Sequence, residues 1–373
     1  MEWLTIFLIN WLLNILAIEF LAIRKIHRIV NVDEDRDSRF KAFRRLDVKW
    51  LNRPWLYATC HLCIFKIFLG FTQLFFCAII SKAMVIGLKK EDTITGVRYF
   101  VMRATHWWTS VIVLFCGATN IWTTFRRSPI CYKKYLGPEW QPDFNWRNVG
   151  CVVANHSSFL DSASNSLQQL ASFVAKEEAE KIPFIGDIMK ASQCLILNRT
   201  SKESKKFIQE QVTNRIKKGE ETGIYDPIII FPEGGTTNGR YLINFKRGAF
   251  QGLRGVFPKI HIQHSYFQQP SSGIMEGLPF YLIGSAIPFS YLEIIHMPIF
   301  RPNDYFYKNH KKEGEEDYQA FMRVVRELMA EVGGFQLVDE SIEDKFEYKK
   351  LIFPKKQSTQ NAQPPQTNPA TSS

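Results

Sequence analysis

The chain begins with an apolar stretch and continues into a longer part where short apolar runs alternate with amphipathic ones. Residues 3–23 are apolar apart from two Asn and one Glu. A helix of this length is about 30 Å long, which is enough to cross a bilayer. A cleaved signal peptide would begin with basic residues and end at a small-residue site, whereas here Glu2 comes first and Arg24 and Lys25 follow. The pattern therefore predicts an uncleaved membrane anchor.

Two further apolar segments lie at about residues 55–88 and 104–125. Lys66 and Lys82 interrupt the former, so it is either a crossing with snorkelling lysines or a re-entrant or interfacial hairpin. The latter carries no charge and has three Trp near its ends, as in an aromatic belt. The sequence thus predicts one to three membrane segments within residues 1–134.

Basic residues cluster in residues 24–53 and again in 126–134. The positive-inside rule places such clusters on the cytosolic side. One crossing with two embedded helices and three full crossings both give this orientation. We therefore expect everything after Arg126 to face the cytosol.

After Cys151 the alternation of short apolar runs and amphipathic stretches predicts an α/β domain, which we place at residues 135–354. The predicted strands are Cys151–Ala154, Ser172–Ala175, Cys194–Leu197, Ile228–Phe231, Lys259–His264 and Leu292–Met297. Helices are predicted at Lys202–Lys218 and Asp317–Val332, the second with a Gly333-Gly334 stop. Residues 355–373 are rich in Gln, Pro, Thr and Ser, which predicts a disordered tail.

Composition narrows the class of protein. Hydrophobic residues make up 46% of the 373 residues, which excludes a disordered chain. The 30 Phe and 9 Trp favour a protein that contacts a membrane. The net charge of +11 suits either nucleic acid or an anionic lipid surface. Seven scattered cysteines, with a single CxxC at Cys60 and Cys63, indicate neither a disulfide framework nor a zinc site. His261 and His264 are three apart in a predicted strand and make a poor metal pair.

The first candidate for chemistry is the run NHSSFLD, residues 155–161, directly after a predicted strand. His156 and Asp161 would lie about 140° apart on a regular helix and could not meet. Ser158 and Asp161 have the form of a helix start, which would leave His156 before the helix with its ring folded back onto the carboxylate. The pair would then be a general base and its orienting group. The alternative is a capping motif with an incidental His.

The second candidate is the run FPEGGTTNG, residues 231–239, after the strand predicted at Ile228–Phe231. Gly234 and Gly235 would let backbone N–H groups approach a phosphate or oxyanion, and Thr236 would add a donor. Glu233 stands at the exit of the strand. The alternative is an ordinary hairpin loop in which Glu233 is a surface charge.

The third candidate is Arg199. Thr200 and Glu203 fit a capping box, so Arg199 immediately precedes a helix N-terminus, where free N–H groups favour an anion. An Arg there can bind phosphate bidentately. The alternative is an ordinary surface Arg.

The runs NHSSFLD, LILNRTS and FPEGGTTNGRYLINFKRGAF, in this order, resemble the blocks of the glycerolipid acyltransferase superfamily. The similarity is closest to its lysophosphatidylcholine or lysophospholipid acyltransferase branch and covers about residues 146–339. The resemblance implies a mixed β-sheet flanked by helices, preceded by N-terminal membrane helices. There are two departures from the family pattern. Gly235 stands where the FPEGT block has Thr, which removes one hydroxyl that Thr236 or Thr237 could supply. His261 stands where the fourth block usually has Pro, with Pro258 three residues earlier as the alternative match.

Residue by residue, the resemblance implies that His156 is the general base and Asp161 its partner. It makes Arg199 a phosphate contact, and Glu233 and Gly234 part of the acceptor site, with Gly235 and Thr236 beside them. The implied partners are acyl-CoA as co-substrate, a lysophospholipid acceptor and membrane lipids, without metal, cofactor or nucleic acid. The implied location is the endoplasmic reticulum membrane. Acylation of glycerol-3-phosphate or lysophosphatidate shares every motif, and a catalytically silent lipid-binding scaffold is the alternative from another class.

Overall fold

The computed structural model describes residues 2–31, 33–46, 53–89, 92–118, 120–197, 202–265 and 268–354. The predicted tail and Arg199 lie outside the described residues. The α-helices are α1 Glu2–Ile18, α2 Arg24–Val30, α3 Glu34–Asp37, α4 Arg53–Thr59, α5 Cys63–Val85, α6 Gly96–Ala118, α7 Lys133–Leu136, α8 Asp161–Ser166, α9 Glu177–Glu180, α10 Ile185–Ala191, α11 Lys202–Thr222, α12 Gly277–Ser285, α13 Asp304–His310, α14 Asp317–Gly333 and α15 Ile342–Ile352. The strands are β1 Asn120–Arg127, β2 Cys151–Ala154, β3 Val174–Lys176, β4 Leu195–Leu197, β5 Ile228–Ile230, β6 Tyr241–Leu242, β7 Val256–Ser265, β8 Ser290–His296 and β9 Gln336–Leu337.

Two helical segments are long and apolar enough to cross a membrane. They are Glu2–Val30, which contains α1 and α2, and Arg53–Val85, which contains α4 and α5. Their large side chains project outward, with Trp3 84% and Phe68 69% exposed. So much apolar surface is unfavourable in water and suits contact with lipid. Lys66 does not disturb this surface, because it is buried and donates to the carbonyl of Ser285 at the end of α12, at 2.9 Å.

The third predicted apolar segment, residues 104–125, is not one helix. Helix α6 ends at Ala118, and the chain continues as β1, which pairs in parallel with β8. The run Trp122-Thr123-Thr124-Phe125 consists of β-branched and aromatic residues, which favour a strand over a helix. The sequence placed the start of the α/β domain at residue 135. The sheet begins earlier, with β1 at Asn120–Arg127.

The main sheet has the strand order β1-β8-β7-β2-β5. β7 and β8 are antiparallel and the other neighbours are parallel, which confirms the predicted mixed sheet. Each of the six predicted strands overlaps an observed one, and α11 and α14 begin at the predicted residues. Because β2 and β5 are adjacent and parallel, the loops that leave their carboxyl ends meet at one edge of the sheet.

Helices cover both faces of this sheet. Phe321, Val325 and Leu328 of α14 are buried, as the predicted helical face requires. The opposite face packs on α8 and α12, and this core is continuous with Ile18 and Ile26 of the N-terminal helix. The two apolar N-terminal helices and the sheet thus share one hydrophobic core.

Candidate active site

The loop after β2 brings His156 against Asp161. Nδ1 of His156 lies 2.9 Å from Oδ2 of Asp161, the first residue of α8. The same oxygen accepts the backbone N–H groups of Ser157 and Ser158 at 2.7 and 2.9 Å. The Asp161 oxygen accepts all three hydrogen bonds, so His156 donates from Nδ1, and Nε2 is left as the ring nitrogen that can accept a proton.

The loop after β5 holds the backbone of His156 on both sides. The His156 N–H donates to Oε1 of Glu233 at 2.7 Å, and its carbonyl accepts from the N–H of Thr237 at 2.9 Å. The His156 ring also stacks on Phe231, with centroids 4.2 Å apart and planes 13° apart. The first two sequence motifs therefore form one structural unit.

Glu233 is fully buried beneath this unit. Its Oε2 atom has no hydrogen-bond partner within the described part of the chain. Burial raises the pKa of Glu233 to about 8, although the N–H of His156 acts in the opposite direction. The carboxyl group of Glu233 is buried and contacts the His156 backbone. The alternative in which Glu233 is a surface charge is therefore wrong. Its part in binding an acceptor stays a prediction.

The structure requires glycine at positions 234 and 235 for different reasons. Gly234 has φ of +73°, a conformation that side chains other than Gly rarely adopt. A Cβ on Gly235 would lie 2.3 Å from Cδ1 of Ile342 in α15. The family's Thr at position 235 would therefore displace the side chain of Ile342, which belongs to a helix that the sequence motifs did not include.

Thr236 lies in the same loop, but its hydroxyl group is engaged inside the protein. Oγ1 donates to the carbonyl of Gly273 at 3.0 Å, and the ammonium of Lys345 lies 2.6 Å from Oγ1 and 2.7 Å from the Thr236 carbonyl. The side chain is 4% exposed. Thr236 thus fixes the loop between two other segments, and its predicted contact with substrate is not tested by this geometry.

Sequence reasoning missed Asn155. Its side chain pairs with the backbone of His261, donating to the carbonyl at 3.0 Å and accepting from the N–H at 2.8 Å. This continues the pairing of β2 with β7 by one position, immediately before His156. The signal was present in the sequence, because Asn is the first residue of the NHx4D block.

No metal site forms within the described residues, since they contain no cluster of three or more His, Cys, Asp or Glu able to hold an ion. Arg199 lies outside them, so its contact with phosphate remains a prediction.

Residues 144–263 match the family model described as Acyltransferase. This range contains the His156 loop and the Glu233 loop. Over these residues the predicted resemblance to the glycerolipid acyltransferases is confirmed.

Among similar proteins, the lysophospholipid acyltransferase LPEAT1 of Arabidopsis thaliana is 31% identical over 201 residues, covering 52% of this chain and 48% of the relative. Lysophosphatidylcholine acyltransferase 2 of Homo sapiens is 30% identical over 201 residues, covering 52% and 34%. The chain therefore spans about half, or less, of the length of these relatives. The crystal structure of the 1-acyl-sn-glycerophosphate acyltransferase PlsC from Thermotoga maritima aligns with 74% of this chain and 95% of that chain, at 14% identity and a TM-score of 0.47.

Proposed function

We propose that this chain is a membrane-bound acyl-CoA:lysophospholipid O-acyltransferase, which moves a fatty acyl chain onto the free hydroxyl of a lysophospholipid. The contact between His156 Nδ1 and Asp161 Oδ2 at 2.9 Å is the observation that carries the proposal. The similar proteins named as lysophospholipid acyltransferases support the class of acceptor.

In the proposed reaction Nε2 of His156 takes the proton of the acceptor hydroxyl as the oxygen attacks the thioester carbonyl of acyl-CoA. The new C–O bond forms, the C–S bond breaks, and the thiolate of CoA takes the proton back from the imidazolium. Asp161 stabilises that imidazolium and keeps Nδ1 protonated. The products are a phospholipid and CoA, with no acyl-enzyme.

The location follows from where the two substrates are found. We infer that the catalytic part faces the cytosol, where acyl-CoA is dissolved, and that the lysophospholipid arrives from the bilayer, which we take to be that of the endoplasmic reticulum. Arg199 and the Gly234–Gly235 loop are proposed to bind the acceptor phosphate.

The test is transfer from one labelled acyl-CoA to a panel of acceptors by the purified protein in mixed micelles. We expect lysophosphatidylcholine or lysophosphatidylethanolamine to exceed lysophosphatidate, with glycerol-3-phosphate the poorest acceptor. A clear preference for glycerol-3-phosphate would contradict the acceptor class. Absence of transfer to every acceptor would favour the silent scaffold.

His156→Ala tests the base in the same assay. General-base assistance is worth about 10² to 10⁴ in rate, so this variant should be nearly inactive while remaining folded. His310→Ala, which removes a His on α13 outside the family match, serves as the matched control and should retain activity. If His156→Ala keeps more than about a tenth of wild-type turnover, the assigned role is wrong.

A further inference from the structure

A buried polar layer lies under the site, between strand β7 and helix α8. Lys259 and His261 are two apart on β7, so their side chains share one face of the sheet. Lys259 is 1% exposed and His261 3%. The proposed acyl transfer uses neither side chain, and burying two such groups is costly unless their contacts compensate.

The start of α8 is held by two of its own side chains. Ser164 Oγ and Asn165 Nδ2 both donate to the carbonyl of Asp161, each at 2.8 Å. These two bonds fix the backbone of the residue whose carboxylate contacts His156. Both donors are fully buried.

Strand β7 contacts each of these two donors. Lys259 Nζ donates to Asn165 Oδ1 at 3.2 Å, and His261 Nδ1 lies 3.3 Å from Ser164 Oγ. The single hydroxyl hydrogen of Ser164 is already donated to Asp161, so His261 must donate from Nδ1. Burial lowers the pKa of His261 to about 3, which keeps the ring neutral and capable of this role.

The backbone of His261 completes the arrangement. Its N–H and carbonyl pair with the side chain of Asn155, which directly precedes His156. The backbone of His261 therefore contacts Asn155, the residue next to His156. Its side chain contacts Ser164, which holds the backbone of Asp161.

We propose that Lys259 and His261 are positioning residues, which fix the start of α8 on the central sheet and so hold the Asp161 carboxylate against His156. This inference rests on the proposed function, because the geometry it explains is that of the proposed base and its partner.

His261→Val and His261→Asn separate the side-chain contact from the backbone contact. Both variants keep the pairing with Asn155, but only the Asn side chain retains an N–H near the position of Nδ1. Misplacing a catalytic group by about 1 Å can cost about 100-fold, so we expect His261→Val to lower kcat roughly 10- to 100-fold with unchanged KM for acyl-CoA. His261→Asn should recover most of the loss. A merely structural role would lower the amount of folded protein but leave kcat per folded molecule unchanged, so kcat is normalised to the folded fraction measured by circular dichroism.

Ser164→Ala provides a second test that needs no change on β7. It should lower kcat to a similar degree, and adding His261→Val should then cost less than about twofold more, because both changes break one chain of contacts. Additive losses, or wild-type kcat in a folded His261→Val protein, would overturn the proposal.

A readout independent of activity distinguishes this inference from the proposed function. The Nδ1 proton of His156 should give a downfield NMR resonance in the wild-type protein and in His261→Asn, and lose it in His261→Val. An inactive wild-type protein that shows this pattern would refute the function and support the positioning role. An active wild-type protein whose resonance survives in His261→Val would refute only the positioning role.

Discussion

At the residue scale, the contact between His156 and Asp161 depends on a change of backbone direction within five residues. The chain leaves β2, turns at Ser157 and Ser158, and enters α8 at Asp161, whose carboxylate closes the turn by accepting both serine N–H groups. Asp161 thus shapes the turn as well as orienting the ring, and its two roles can be separated by substitution.

Asp161→Asn keeps the size of the side chain but removes its charge. The amide oxygen of Asn can replace Oδ2 as the acceptor for the two serine N–H groups and for Nδ1, yet a neutral amide stabilises the imidazolium less than a carboxylate does. We expect kcat to fall by about 10² or more with little change in thermal stability. Steady-state kinetics and a melting curve check this, with Asp304→Asn on α13 as the control. A kcat within about threefold of wild type would contradict the assignment.

Glu233 should make stability depend on pH. Its pKa is raised from its ordinary value to about 8 in the folded protein, so the folded state holds a proton that the unfolded state releases at lower pH. The stabilisation is complete below the unfolded pKa and is lost as pH rises toward about 8, at roughly 1.4 kcal/mol per pKa unit. Denaturant unfolding of the wild type and Glu233→Gln at about pH 5.5 and about pH 8.5 tests this. The free-energy advantage of wild type should shrink at high pH, and a constant difference would refute it.

The sequence predicted which residues the candidate site contains, but it did not predict how deeply they are buried. The NHx4D spacing and the helix-start pattern were enough to expect the ring of His156 against Asp161. The burial of Glu233 and the internal hydrogen bond of Thr236 depend on segments far away in the chain, such as Gly273 and Lys345. No local pattern contains that information.

At the element scale, helix α15 forms one wall of the glycine loop. Ile342 is 2% exposed and occupies the space above Gly235, while Lys345 binds the Thr236 carbonyl. The helix lies outside the 144–263 match. Gly235 and Ile342 should therefore be coupled energetically.

Gly235→Ala tests the coupling, because its Cβ would overlap Cδ1 of Ile342, and overpacking costs about 1 to 3 kcal/mol. Ile342→Val removes that Cδ1 atom at a cost of about 0.5 to 1.5 kcal/mol. We expect the double variant to lose less free energy of unfolding than the sum of the losses in the two single variants, as measured by denaturant unfolding. Gly248→Ala is the control, since nothing lies within 4 Å of its added Cβ. Simple additivity would show that α15 does not constrain the loop.

Periodicity predicted most elements correctly, and β1 shows where it failed. The apolar run ending at Phe125 has no charge, so hydropathy alone assigned it to the membrane segment. Its pairing with β8, which lies far later in the chain, decides its structure. Hydropathy registers apolar side chains but not the backbone pairing that makes this segment an edge strand, on which Trp122 is 51% and Phe125 47% exposed.

At the scale of the whole molecule, the two apolar N-terminal helices and the sheet are one packed body. Ile18 and Ile26 of the N-terminal helix belong to the same core as Phe280 of α12 and Ile294 of β8. Lys66 of α5 also binds the last carbonyl of α12. Since α12 packs against both, the sheet that carries the His156 loop is held close to the helices with the exposed apolar surface.

This attachment makes the side of the membrane a property of the whole chain. The basic clusters at residues 24–53 and 126–134 both lie on the cytosolic side if Arg53–Val85 enters the membrane as the re-entrant or interfacial segment considered from the sequence and does not cross it. Acyl-CoA, a large anion, does not cross a bilayer unaided. We therefore expect protease added to sealed microsomes to digest an epitope placed after residue 126, while a lumenal marker stays intact. Detergent should expose the marker and leave the epitope result unchanged. Protection of the epitope in sealed vesicles would place the His156 site in the lumen, where acyl-CoA would have to be imported, and would overturn both the orientation and the proposed donor.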